Sequence, residues 1–314
     1  MKFKPNNQPT RMICFEIKQE GIAMAMVEIK RNEPAIIHAN AWIETKKFTV
    51  QEVQKVIAEY NLKDWPVSIL LPEEQYQIRL VEVPDVDEDD VVDAIKLKAN
   101  DFISYQIDDA FVDVLPMPEK AFHGRRKMAF VVIAEAEPVM ATIDIIKQTG
   151  LSVHSVDIAD QALRNLSSYC NKHHNSGLLL ISWQHSQINL CHDHNLVVNR
   201  KIDIGSLGLL AEDQPVENQL SDKIQHDSLV LEIQRSMDYF ESQLGLGVIN
   251  EISILSLMEL PNSIYNFLND NFNANIHYVD IDDVFVMGKQ SQPEMLSQCY
   301  QALGGALRYH GGVA

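Results

Sequence analysis

Apolar and polar residues alternate along the first part of the chain in a way that predicts three strands, a helix and a fourth strand. Three apolar segments rich in Ile, Val and Met are separated by short polar turns; they are Met12–Ile17, Ile22–Ile29 and Ala35–Ile43. Apolar residues then recur at helical spacing from Val50 to Tyr60, and the short apolar run Val67–Leu71 follows. Short runs bounded by turns indicate strands, whereas a step of three or four residues indicates a helix. The predicted order is β-β-β-α-β.

The second half of the chain repeats this opening. Its first apolar segments, again divided by polar turns, are Leu178–Trp183, Gln187–Cys191 and Leu196–Ile204. A long helix is predicted next, with an apolar stripe that is expected to face the core. That stripe consists of Leu229, Ile233, Met237, Phe240 and Leu244. The duplication favours two lobes of similar design.

Residues 72–150 interrupt the first lobe with a pattern of their own. Strands are predicted at Tyr76–Val83, Ala110–Val114 and Lys127–Ala134, and a helix is predicted after the acidic run Asp85–Asp90. We interpret this segment as a small α+β module inserted into a first lobe of residues 1–176. The second lobe is expected at 177–314, and its C-terminal helix, at about 292–310, is expected to pack back toward the first lobe.

Length, charge and cysteine content narrow the class of protein. A chain of 314 residues with 46% hydrophobic residues can bury the cores of two lobes. Its formal net charge of −18 argues against nucleic acid as a partner and, for the chain as a whole, against anionic lipid. A basic partner suits it better. Four scattered cysteines without a C-x-x-C spacing and the lack of a long apolar run lead us to expect a cytosolic protein with no membrane insertion.

Several stretches in order along the chain resemble the PilM family of type IV pilus assembly proteins. They are Leu80–Pro84, Phe102–Ile103, Ile107–Asp113, Glu232–Phe240 and Ala302–Arg308. The MSHA pilus branch of that family, MshI, is the most similar, and the cytoplasmic part of the type II secretion protein GspL is also similar. The resemblance implies an α/β, actin-like fold, which is a duplicated RNase H-like, two-lobed fold with a module inserted in the first lobe.

The resemblance also implies a function. Proteins of this family are cytoplasmic scaffolds that lie at the inner membrane through a partner. They dock the cytoplasmic tail of a bitopic membrane protein of PilN type, which in the MSHA branch would be MshJ-type, and they connect it to the motor. The assembly ATPase is a further candidate partner. Oligomeric state is left open by the resemblance.

The first of the turns that grip ATP phosphates in actin-like proteins is degraded in this chain. The matching stretch contains Glu16, Lys18, Gln19 and Gly21. Lys18 stands where the family has a glycine that lets the backbone approach a phosphate, and Glu20 adds a negative charge. The turn is therefore expected to disfavour a triphosphate, although Glu16 retains a carboxylate for a metal.

The second turn and the adenosine-contacting element are altered as well. The second turn contains Ser182, Gln184 and His185 beside the bulky Trp183, with no acid and no glycine. Ser256 lies in the third element, which has lost its glycine pair. We therefore expect no catalysis and no ATP or Mg²⁺ cofactor. The alternative is a nucleotide-binding switch or ATPase with an atypical site, in which Lys18 and His185 help to hold the anion.

Other candidate sites are weaker. The run Asp85–Asp90 looks like the start of a calcium loop, but Asp90 replaces the required glycine, and a helix start enriched in acids is the simpler interpretation. This acidic surface, with Asp108–Asp113, is also a candidate docking site for basic residues. His185, His192 and His194 surround one predicted hairpin, and His192 and His194 are expected to share a strand face, but too few ligands complete a zinc site. No motif of an unrelated enzyme is present.

Overall fold

A computed structural model describes residues 9–62, 64–87, 90–210 and 219–308, with side chains from residue 225 onward in the last range. Glu88 and Asp89 of the acidic run, most of the polar loop after Leu210, and the end of the predicted last helix at residues 309–310 lie outside the described residues. The chain forms two compact units. Unit 1 contains the chain up to Ala162 together with the segment from Phe285 onward, and unit 2 contains Leu163–Val284.

Strands and helices follow one another along the whole chain. The strands are β1 (Arg11–Ile17), β2 (Gly21–Glu28), β3 (Ile36–Glu44), β4 (Pro66–Leu70), β5 (Tyr76–Glu82), β6 (Ala110–Pro116), β7 (Met128–Glu135), β8 (Ser152–Asp157), β9 (Asn175–Ile181), β10 (Ser186–His192), β11 (Asn195–Ile202), β12 (Glu251–Ser256), β13 (Asn275–Tyr278) and β14 (Val286–Gln290). The helices are α1 (Val50–Tyr60), α2 (Val91–Ala99), α3 (Ala136–Gln148), α4 (Ala159–Cys170), α5 (Ser206–Leu209), α6 (Gln219–Asp238), α7 (Asn262–Asn271), α8 (Ile281–Val284) and α9 (Tyr300–Ala306). Among the described residues, no helix is both long and apolar enough to cross a bilayer.

The main sheet of unit 1 has the order β14-β3-β2-β1-β4-β8. β1, β2 and β3 form the predicted antiparallel meander, whereas β4 lies parallel to β1 and β8 lies parallel to β4. Helix α1 begins where Thr49 accepts a hydrogen bond from the Glu52 N–H, and it ends at Asn61 in the left-handed conformation. Its buried residues, Val53, Val56 and Tyr60, join the core above this sheet, as their spacing predicts.

Unit 2 repeats this arrangement. Its sheet has the order β11-β10-β9-β12-β13, which matches β3-β2-β1-β4-β8 strand for strand. The first three strands are again antiparallel, and β12 and β13 are again parallel additions. The apolar stripe of α6, from Leu229 to Met237, is buried as predicted, and it continues through Phe240 and Leu244 in a π-helical turn. The duplicated α/β plan expected from the sequence is therefore present.

The inserted module forms a separate three-stranded sheet in unit 1, with the order β5-β7-β6. Helix α2 covers one face of this sheet, where Ile95 and Ala99 pack on Val81, Val131 and Ile133. The module is thus an α+β element with its own small core.

Three features of the chain differ from the sequence-based expectations. The boundary between the units lies at Ala162–Leu163, within α4, rather than at residues 176–177. The final helix is shorter than expected: Pro293–Cys299 forms a 3₁₀ segment, and α9 covers only Tyr300–Ala306. Strand β14, which the sequence pattern did not indicate, pairs in parallel with β3 in unit 1.

Candidate functional site

The turn between β1 and β2 is a tight hairpin whose polar groups are bonded within unit 1. The Lys18 N–H donates to the Gly21 carbonyl at 2.9 Å. A Cβ at Gly21 would collide with the Ile43 carbonyl oxygen and with the Trp42 ring. This glycine therefore permits close packing of β2 on β3, and its backbone does not lie open to a phosphate.

Glu16, at the end of β1, is occupied by protein groups. The Lys18 Nζ lies 3.1 Å from the Glu16 Oε1 and also donates to the Gln298 carbonyl at 3.4 Å. Burial raises the pKa of the Glu16 carboxyl, and Lys18 and the Ala302 backbone N–H only partly offset that effect. Glu16 and Lys18, to which the alternative of a nucleotide switch assigns the metal and the anion, are partners of each other.

The surroundings of this turn are acidic. Gln19 Nε2 donates to Glu74 Oε1 at 2.7 Å, which brings the segment after β4 against the turn. Glu73 also acts on Glu16 and raises its pKa further. With Glu20 in the turn itself, several carboxylates surround the single ammonium of Lys18. A triphosphate would meet repulsion here, because like charges at short range oppose binding.

The second turn, between β9 and β10, is bonded to the start of α5. The Ser182 N–H donates to the His185 carbonyl at 2.9 Å, which closes the turn. The Ser182 and Trp183 carbonyls accept from the N–H groups of Ser206 and Leu207, at 2.8 and 3.0 Å. A Cβ at Gly205 would lie 2.5–2.6 Å from backbone atoms of Trp183 and Gln184. The space beside this turn is filled by the chain itself.

Ser256 lies next to the second turn, because it ends β12 opposite Ile181 of β9. Its side chain is buried, and its Oγ accepts a long hydrogen bond of 3.4 Å from the Met258 N–H. Unit 2 thus brings Ser182, Gln184, His185 and Ser256 to the carboxyl ends of adjacent parallel strands, the usual place for ligands in α/β sheets. Unit 1 brings Glu16, Lys18, Gln19 and Gly21 into the first turn.

The three histidines do not form the cluster that the sequence suggested. His192 ends β10, but Asp193 and His194 form the turn to β11 with φ of 47° and 66°, so the prediction that His192 and His194 share a strand face is wrong. His185 lies at the opposite end of β10. Within the described ranges, no group of three or more His, Cys, Asp or Glu side chains could hold a metal ion.

The inserted module has an apolar sheet face that the sequence analysis did not identify. This face lies on the side of the sheet away from α2. In the strand register, Leu80 and Leu115 are paired with Phe130, and Ile78 and Asp113 are paired with Val132. We call this surface the module face; its residues are Ile78, Leu80, Phe111, Asp113, Leu115, Phe130 and Val132. Phe111 is 48% exposed and Leu80 is 36% exposed. The sequence of β7 contains a signal for this face, because its residues are apolar on both sides of the strand, a pattern typical of strands that are covered on both faces.

The module face adjoins the core of unit 1 at one end. There Tyr76 and Ala134, the next pair in the same register, pack with Leu71 and Val139. Tyr76 also donates a hydrogen bond of 2.8 Å to Asp160, which ties the base of the module to α4. The open part of the face therefore continues from a firmly packed base toward the far end of the module.

No protein-family model and no curated protein matches the chain. Solved structures do. The PilM–PilN type IV pilus biogenesis complex matches over 96% of this chain and 99% of that chain, with a TM-score of 0.65 and 17% identity. The cytoplasmic domain of EpsL, an inner membrane component of the type II secretion system of Vibrio cholerae, matches over 97% and 100%, with a TM-score of 0.52 and 13% identity. Together with the duplicated sheet order, these matches establish that the chain has the actin-like fold.

Proposed function

We propose that this chain is a non-catalytic scaffold of a type IV pilus assembly platform at the inner membrane. In this proposal it lies on the cytoplasmic side, docks the cytoplasmic tail of a PilN-like bitopic membrane protein, and links that protein to the assembly motor. The finer assignment, on the resemblance of the sequence stretches quoted above, is to an MSHA-type pilus with an MshJ-type partner.

The observation that carries the non-catalytic part is the closed first turn. Glu16 Oε1 is paired with Lys18, and Lys18 also reaches the Gln298 carbonyl, so the cation of the turn is engaged by the chain itself and the Glu16 carboxylate is buried beside it. The acids Glu20, Glu73 and Glu74 add repulsion. The fold is intact, but the turns that would hold phosphates are filled by the chain's own side chains. This combination favours a protein that binds another protein over one that hydrolyses a nucleotide.

The module face is the surface that we assign to the tail. Its strands β5 and β6 are the edges of a three-stranded sheet, and an extended peptide can add to such an edge through main-chain hydrogen bonds. Phe111 and Leu80 offer apolar contacts on these edges. Asp113, exposed between them, suits a basic side chain, and cytoplasmic segments next to a membrane span are enriched in Lys and Arg.

Calorimetry with a synthetic peptide tests this proposal. The peptide is the cytoplasmic tail of a PilN-like membrane protein from the same organism, titrated into the full chain. Phe111→Asp should weaken binding at least tenfold, because it places a charge in the apolar contact. Leu97→Asp is the matched control: Leu97 is 77% exposed but lies on α2, on the other side of the module, and its substitution should leave the affinity unchanged.

Two outcomes would contradict the proposal. The absence of heat at a peptide concentration of several hundred micromolar would remove the tail as a partner, since useful docking corresponds to about −5 kcal/mol or better. Equal losses in the Phe111 and Leu97 variants would retain the tail but move it away from the module face.

A further inference from the structure

Two exposed segments of opposite charge lie side by side at the far end of the inserted module. The acidic turn, Asp85–Asp87, follows β5, and the basic loop, Arg125–Lys127, precedes β7. The Val83 N–H donates to the Lys127 carbonyl at 2.8 Å, directly beyond the last register pair of the two strands. Within a chain of net charge −18, the basic loop is the longest uninterrupted run of Lys and Arg.

The basic loop is held in a defined shape. It belongs to the connection between β6 and β7, which is closed by a hydrogen bond of 3.1 Å from the Met117 N–H to the Met128 carbonyl and in which Ala121 is buried. Phe122 and His123 both have a φ of 56°, a conformation that costs free energy in residues with a Cβ. Backbone strain of this kind is kept where the surrounding structure imposes it, and it often accompanies a functional surface.

The charges of the two segments make no ion pair within the part of the chain that the structure describes. Among the described residues, no ion pair joins Asp85 or Asp87 to any cation, and none joins Arg125, Arg126 or Lys127 to a carboxylate. All of these side chains are exposed. Val86, at the centre of the acidic turn, is 44% exposed and adds an apolar contact to the patch.

We propose that this patch is a self-complementary interface through which two copies of the chain associate about a two-fold axis. A two-fold axis places the basic loop of each copy against the acidic turn of the other, because an isologous interface pairs the same patch with itself. The net charge does not prevent this contact, since charges farther than about 8 Å are screened at physiological ionic strength whereas contacting pairs are screened less.

The size of the patch sets the strength of the association. Two short segments per copy bury less than the roughly 800 Å² per partner of a standard interface, so the dimer is weak and forms at high protein concentration. An anionic lipid surface fits the same patch less well, because the acidic turn would face the same headgroups as the basic loop. The proposal does not depend on the docking of a membrane-protein tail.

Sedimentation velocity of the full chain, from ten to several hundred micromolar, tests the proposal through an exchange of charges. One variant reverses the loop, R125E/R126E, and the other reverses the turn, D85K/D87K. Each alone should weaken dimerisation at least tenfold, because like charges then meet in both contacts of the dimer. An equimolar mixture should form mixed dimers, since every reversed loop then meets a reversed turn.

The control variant is K46E/K47E, which makes the same charge change as the loop variant at exposed residues far from the module in sequence. It should dimerise as the wild type does. A wild-type chain that stays monomeric throughout the range overturns the proposal, as does a mixture that fails to restore dimers. Peptide calorimetry is performed at low protein concentration, where the chain is monomeric, so the two proposals fail independently.

Discussion

Glu16 and Lys18 form an ion pair of 3.1 Å in which the carboxylate is almost fully buried and the lysine side chain is 26% exposed. The pair closes the first turn and, through the Gln298 carbonyl, ties it to the segment that precedes α9. It therefore links the end of β1 to the C-terminal part of unit 1. A carboxylate kept for a metal would be expected to face solvent or a ligand, and this one faces its own chain.

The pH dependence of stability should reveal the buried carboxylate. Burial raises the pKa of Glu16 above its usual value of 4.5, so the protonated form is favoured by folding. Its contribution to stability is full below about pH 4.5 and is lost as the pH rises through the raised pKa. Glu16→Gln should therefore be at least as stable as the wild type at pH 7 in urea unfolding, and its advantage should disappear below about pH 4.5.

Lys18→Met provides the converse test of the same pair. It leaves Glu16 buried without its cation and should lower the free energy of unfolding at pH 7 by about 2 kcal/mol. The double variant with Glu16→Gln should recover most of this loss. If Glu16→Gln is instead clearly destabilising at pH 7, the ionised pair contributes net stability and the closed turn is held differently.

Nucleotide should have little effect on the folded protein. A ligand that binds only the native state stabilises it by RT ln(1 + L/Kd), where L is the concentration of free ligand, and so raises the melting temperature. With the first turn closed and acidic, we expect ATP with Mg²⁺ at about 5 mM to shift the melting temperature by less than about 1 °C. MgCl₂ alone is the control, because an acidic chain can bind the cation. A shift of several degrees that needs ATP would favour the alternative of a nucleotide switch.

The glycine pair of α9 should be sensitive to the smallest enlargement. A Cβ at Gly304 would collide with the Ala162 backbone, and one at Gly305 would collide with the Cys14 Sγ and lie 3.2–3.3 Å from Leu70. Gly→Ala in a helix ordinarily stabilises by about 1 kcal/mol. Here overpacking should outweigh that gain, and Gly304→Ala should destabilise by about 1–3 kcal/mol.

Gly208 of α5 is the matched control for the expected destabilisation by Gly304→Ala. A Cβ there would lie 2.9 Å from the amide oxygen of Gln225, which is a flexible side chain that can move. Gly208→Ala should change the melting temperature by no more than a degree or so, since surface changes are usually within about 0.5 kcal/mol. A Gly304→Ala chain as stable as the wild type would show that α9 can shift away from Ala162.

The fold was predictable because its signals are local. Each unit opens with a three-strand meander whose apolar runs and polar turns lie next to each other in sequence. Because the same pattern occurs twice, each copy supports the assignment of the other. β14 escaped because its five residues include Gly288 and Lys289 and show no apolar alternation. It is a strand because it pairs with the edge of β3. Val286 pairs with Ile36, and a partner that far along the chain cannot be detected in the local sequence pattern.

The candidate site was only half predictable for the same reason. The loss of glycine at Lys18 and the presence of Trp183 can be read from the turns themselves. The partners that close those turns come from far along the chain, as Gln298 does for Lys18 and Gly205 does for Gln184. The sequence of β7 indicates that the module sheet is apolar on both faces, but which of the two faces α2 covers is decided by tertiary packing.

Asn171, directly after α4, should be the most important polar side chain of unit 2. Its Nδ2 donates to the Ser167 and Gly177 carbonyls at 3.0 and 3.1 Å, and its Oδ1 accepts from Ser253 Oγ at 2.7 Å. It thereby joins the helix end to β9 and β12. Asn171→Ala removes these buried hydrogen bonds, although the Ser167 carbonyl keeps the backbone N–H of residue 171 and Ser253 Oγ keeps His277 Nε2. The substitution should lower the free energy of unfolding by about 2–4 kcal/mol.

Asn271 is the control for Asn171, because it also lies at the C-terminal end of a helix but is exposed. It ends α7, is exposed, and donates its Nδ2 to the Phe267 carbonyl four residues earlier, at 2.7 Å. Asn271→Ala should cost no more than about 0.5 kcal/mol, because water replaces the lost bond. Urea unfolding of both variants compares the two sites directly. Similar losses would mean that Asn171 acts only on its own helix end and that β9 and β12 hold α4 by apolar packing alone.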